Sequence, residues 1–253
     1  MKHNKKLFNK IFTGVFCTIM LALVITLADL FSGLITVGGY SFASENITTS
    51  ELNLYAVCTS SHDTKLLADE LSETIQLQGG AGYVYMNKHS YYIIAGIYQT
   101  QADAEKVKQN LIQNRPQTTV VKITAPAVLL SSNLSQQEKS TVLDSLGLFK
   151  SVYLELYDIA VSLDTSVINE VNARLDINQI ASSINNTLSN YSTLFSNTLT
   201  TELLKIKLAI EEIKTHLTSL TNSSSIIPFT SLVKETYCKV VVSYKTLCEG
   251  LNM

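Results

Sequence analysis

Between Leu54 and Ile123 the chain writes one small unit twice, and that duplication restricts its fold more than any other feature. The first copy is a strand-like run, Leu54 to Thr59, followed by a helical pattern from Asp63 to Ile75. A glycine-rich break, Gly79-Gly80-Ala81-Gly82, ends it. The second copy is Tyr91 to Tyr98, then Gln101 to Leu111. Tyr83 to Met86 lies between the copies, and Thr119 to Ile123 follows them. Apolar period two alternating with helical period predicts β-α-β-β-α-β, a four-stranded sheet with two helices on one face. The opposite face is then expected to be open and available for binding.

Side-chain alternation divides the strands between those faces. Val84, Ile93 and Ala95 are expected under the helices. Tyr83, Tyr85 and Tyr92 fall on the other side with Ile94 and Gly96, and Tyr98 is assigned to the core. A tyrosine ring covers the apolar face of a pyranose while its hydroxyl bonds ring substituents. A glycine at 96 lets a ligand come close to the backbone. Tyrosine is also favoured on pleated surfaces for packing alone, so the same residues have a purely structural reading.

The second copy carries Tyr91, Ile93, Gly96 and Tyr98, then Asp103-Ala104, Val107 and Leu111. In this it resembles the SPOR domain family, bacterial modules that bind peptidoglycan glycan strands stripped of their peptides. The resemblance spans residues 53–126. It is weaker in the first copy, where Val57, Cys58 and Thr59 include no glutamine and Ser60 and Ser61 replace a glycine and an aromatic. It implies a glycan-binding surface of Tyr83, Tyr85, Tyr92, Ile94 and Gly96, no cofactor, and enrichment where septal wall is denuded during cell division or sporulation.

Ahead of that unit the chain is uncharged from Ile11 to Ala28, just enough to cross a bilayer core as a helix. Lys2, Lys5, Lys6 and Lys10 precede the run, and the next basic residue is Lys65. The charge asymmetry predicts a single-pass protein of the cell membrane, with residues 1–45 as cytoplasmic tip and anchor and the rest extracytoplasmic. The small-x-small triplet Ser41-Phe42-Ala43 leaves a cleaved signal peptide as the alternative.

From 135 to 253 the strand signal vanishes. Val142, Leu146, Phe149, Tyr153, Leu156, Ala160 and Leu163 form one apolar stripe. A second runs from Ile180 through Phe195 to Leu220, and a third from Val233 to Leu251. Such stripes predict an antiparallel bundle, read here as three amphipathic helices broken at Asn222–Ser225 and Pro228. They could bury one another or mediate self-association or partner binding. The fold class is therefore α+β: a transmembrane helix, a ferredoxin-like β-α-β-β-α-β domain, and an all-α bundle.

No catalytic pattern is present. The four histidines, His3, His62, His89 and His216, are scattered, and no Cys/His cluster has metal-ligand spacing. Cys238 and Cys248 sit ten residues apart in one helical pattern, about 15 Å, too far to bridge. A net charge of -2, without a basic patch, makes nucleic acid a poor partner. The sequence thus predicts a non-enzymatic peptidoglycan binder without cofactor or metal. The alternative is an extracytoplasmic interaction scaffold whose sheet packs on its own helices or a partner.

Overall fold

The structure is a computed structural model describing residues 46–131, 134–196 and 199–252. Its strands are β1 (Asn46–Thr48), β2 (Leu52–His62), β3 (Tyr83–Asn87), β4 (Ser90–Tyr98), β5 (Thr119–Ala125) and β6 (Leu129–Ser131). Helices α1 (Lys65–Leu77) and α2 (Gln101–Ile112) follow β2 and β4. Helices α3 (Gln136–Asp164), α4 (Glu170–Leu194), α5 (Thr201–Thr221) and α6 (Phe229–Leu251) occupy the C-terminal region. Over the described residues the fold is α+β, with a small antiparallel sheet and six helices. Among the described residues no helix is long and apolar enough to cross a membrane, and the expected span at Ile11–Ala28 lies outside them.

Both helices of the repeated unit begin in the same way. Thr64 and Thr100 adopt extended backbone and accept from the amides of Leu67 and Asp103, satisfying donors that a helix start leaves orphaned. The main sheet has strand order β3-β4-β2-β5. Ala68 and Ile75 of α1 pack on Ile93, with Val84, Tyr91 and Ala95 around them. That is the face the alternation assigned to the helices. The turn into β3 needs Gly82, whose φ is +61° and whose missing Cβ leaves room for Gln76 and the Ser72 carbonyl. A separate ribbon, β1 paired with β6, was not visible in the sequence pattern.

The C-terminal region holds four helices rather than three. The stripe from Ile180 to Leu220 is divided at Phe195, where α4 ends, and Thr200 caps the start of α5. No proline or glycine marks this break, which is why the periodicity ran through it. Short connections make consecutive helices antiparallel, and α3, α4, α5 and α6 close a ring in which each packs on its two neighbours. Ser135 and Glu138 start α3 with a reciprocal capping box.

One end of the bundle is held by Arg174. Its guanidinium donates to Glu170, to the carbonyls of Leu220, Thr221 and Ser223, and stacks 4.2 Å over the Phe229 ring. Those carbonyls include ones the C-terminus of α5 leaves without intrahelical partners. Lysine keeps the charge but loses the planar fork. Arg174→Lys should therefore lower the urea midpoint with an unchanged m-value, by the equivalent of about 1–3 kcal/mol.

Candidate functional site: a closed sheet face and the cleft beside it

The face expected to be open is covered. Helix α6 lies across β3, β4 and β5 on the side opposite α1 and α2. Tyr85 is 8% exposed, Ile94 is fully buried, and Gly96 is buried. Tyr83 and Tyr92 keep intermediate exposure. The five residues do share one side of the sheet, with Tyr83 opposite Ile94 and Tyr85 opposite Tyr92 in the β3–β4 register. Tyr98 also belongs to that side, stacked edge-on against Tyr157 of α3 at 6.3 Å. It is therefore not part of the core beneath α1 and α2.

What approaches Gly96 is the chain's own Tyr237. A Cβ at 96 would stand 3.0 Å from the Tyr237 hydroxyl and 3.2 Å from that of Tyr98. The residue next to it explains the approach. Strand β3 ends at Tyr83 opposite Ile94, with Ala81 donating to the Ala95 carbonyl just beyond. Past that point β4 has no strand on its β3 side. There the Ile97 amide donates to the Tyr237 hydroxyl at 3.4 Å, and the Tyr153 hydroxyl donates to the Ile97 carbonyl at 3.5 Å. Both bonds are long, but Ile97 is fully buried, where an unmet polar group is costly.

The same seam satisfies the C-terminal end of α1. Ser231 donates to the Gln76 carbonyl at 2.6 Å and Lys234 to the Gly79 carbonyl at 2.8 Å, while Gln76 donates to Glu235 at 3.1 Å. Lys234 also pairs with Asp164 at 2.6 Å, tying α3 to the same point. Tyr153, Tyr157 and Tyr237 stack on one another at 5.9–6.2 Å. Burial raises the Tyr153 and Tyr237 hydroxyls well above the usual phenol range and carries Tyr98 up to about 12. Cys58 is fully buried, and burial pushes its thiol up to about 12. The sequence held one clue: a tyrosine on an otherwise aliphatic stripe needs a polar partner, and Tyr153 and Tyr237 find theirs on β4.

Where the seam meets the β3 edge, a cleft of about 470 Å³ opens between the sheet and helices α5 and α6. Tyr83 stands at one end, Leu208, Ala209, Val242 and Leu247 supply apolar surface, and Lys205 and Glu212 are its charged members. Burial, Cys238 and the carboxylates of Glu212 and Glu235 push the Tyr83 hydroxyl up to about 12. A second cleft, of about 310 Å³, lies between α1 and the segment after α2. It contains His62 Nε2 at 3.0 Å from Ser60 Oγ. Among the described residues no carboxylate is bonded to that imidazole, as nucleophile activation would need. Nor do they include a group of three acidic, His or Cys side chains placed to hold a metal ion.

Comparison with known protein families, curated proteins and solved structures returns no match to this chain.

Two outcomes follow from the seam. Tyr237→Phe leaves the Ile97 amide without its partner and should lower stability by about 1–3 kcal/mol, read as a fall in Tm. The second concerns alkali. A phenol whose folded pKa lies above its unfolded value keeps its proton in the folded state after the unfolded chain has released it. Stability is complete below about pH 10 and falls as pH rises above it. The share of tyrosinate absorbance that comes from Tyr98, Tyr153 and Tyr237 should therefore rise in one cooperative step that coincides with loss of circular dichroism.

Proposed function

We propose that the chain is an extracytoplasmic interaction scaffold, held at the membrane by residues 11–28, whose SPOR-like sheet is packed against its own helices. The observation that supports this reading is Tyr237 standing over Gly96, with Tyr85 and Ile94 buried beneath α6. A glycan strand needs that space, and the protein already fills it. The scaffold acts by affinity, without chemistry or cofactor, and its partners are proteins rather than nucleic acid. The peptidoglycan reader is the second reading, favoured by the partial exposure of Tyr83 and Tyr92 at the margin of the face.

The two readings separate in one experiment. Full-length protein is incubated with sacculi before and after amidase removes the stem peptides, and retention is measured alongside thiol labelling in a Cys17→Ser background. The scaffold predicts no gain in retention on denuded sacculi, with Cys58 and Cys238 unreactive throughout. Retention that rises with amidase treatment, is lost in Tyr85→Ala/Tyr92→Ala, and exposes those thiols would establish the glycan reader instead.

A further inference from the structure

With its face covered, the sheet's remaining capacity to bind lies at its edges, and the two edges are not alike. Strand β5 carries Lys122, exposed near its middle, the usual guard against edge-to-edge pairing. Strand β3, the sequence Tyr83-Val84-Tyr85-Met86-Asn87, has neither charge nor proline. It turns into β4 through Lys88 and His89, with Asn87 opposite Ser90. A two-residue hairpin loop makes that closing pair hydrogen-bonded, so Tyr85 and Tyr83 bond to β4 as well. The backbones of Val84 and Met86 then point outward, where no further strand is present among the described residues.

Beside this edge lies the cleft that begins at Tyr83. Its volume, about 470 Å³, suits one extended chain and not a folded domain. A second copy of this protein pairing edge to edge would bring its own α5 into the same space. The charges on the cleft are unequally satisfied. Lys205 donates to the Gly250 carbonyl at 2.5 Å. Glu212, more than half exposed, meets His216 at 3.5 Å as its one ion-pair partner among the described residues. A basic side chain would complete it.

We infer that the β3 edge and the α5–α6 cleft together receive an extended peptide segment of a partner protein. The segment adds to the sheet as a fifth strand, sets an apolar side chain against Leu208 and Val242, and offers a basic one to Glu212. Main-chain bonds to Val84 and Met86 supply affinity, and the alternate side chains entering the cleft supply selectivity. This rests on the scaffold reading and names its docking surface.

The test uses full-length protein and a short fluorescein-labelled peptide alternating valine and threonine around a central lysine, followed by anisotropy. Saturable binding is expected, weakened about tenfold by Met86→Pro, which removes an outward amide and leaves the β4 ladder intact. Leu208→Asp and a glutamate-centred peptide should each bind more weakly, and exchange of the Val84 and Met86 amides should slow when peptide is added. Absence of saturable binding, equal affinity for the lysine and glutamate peptides, or unaltered exchange at those amides overturns the inference. Should Met86→Pro lose its native circular dichroism, Leu208→Asp and the exchange measurement decide. Doubled mass of the peptide-free protein on sizing, lost in Met86→Pro, would assign the edge to self-association and also overturn it. Failure here with sacculi unbound removes only the docking surface, whereas binding to denuded sacculi removes the scaffold itself.

Discussion

Strand β4 runs on to Tyr98 while β3 stops opposite Ile94, so the buried backbone of Ile97 must find polar partners outside the sheet. Only a side chain from the opposite layer can reach it, and only if the neighbouring position has no Cβ. Gly96 meets the second condition, and Tyr237 and Tyr153 meet the first. These contacts place α6 across the sheet and α3 at the ends of its strands. The remaining polar ties gather where α1 ends: Ser231 donates to the Gln76 carbonyl, and Lys234 to the Gly79 carbonyl in the turn that follows. The sheet and the bundle are thus joined where β4 runs past the end of β3 and where α1 turns toward β3.

Magnitudes indicate how firmly the face is shut. Each of Ile94, Tyr85, Tyr153 and Tyr237 would lose about 1.5–3 kcal/mol of burial if exposed fully, and each seam hydrogen bond about 1 kcal/mol. The sum is comparable to the whole stability of an ordinary domain, about 5–15 kcal/mol. Opening the face is therefore close to unfolding, and a sugar stacking on two or three tyrosines does not match that cost. The apolar contribution dominates; the long bonds to Ile97 set position more than energy.

Much of this architecture was legible in the sequence because it is written in periodicity. The duplicated unit gives β2 to α2 with the right order, and alternation puts Val84, Ile93 and Ala95 under α1. The covering of the other face was not legible, since nothing local in Tyr83, Tyr85 or Tyr92 distinguishes a tyrosine facing water from one facing a helix. That information lies far along the chain, in the hydroxyls of Tyr153 and Tyr237, 56 and 140 residues from the Ile97 backbone they bond. The division of α4 from α5 was missed for a different reason. Helix α4 ends at Phe195 and α5 starts on a Thr200 cap, with no proline or glycine in the intervening sequence, so the apolar stripe reads as continuous.

A sheet that spends its face on its own helices does not lose all capacity to bind, because an edge strand's outward amides and carbonyls are not satisfied by packing. The two edges of this sheet contrast in the way that matters. On β5 a lysine interrupts any added strand; on β3 the residues are uncharged, and the helices beside it stand back far enough to leave a cleft. Had α5 packed flush against Tyr83, the cleft residues Leu208 and Val242 would have been core. Their placement around an open volume makes the edge of the sheet, rather than its face, the part of the fold suited to a partner.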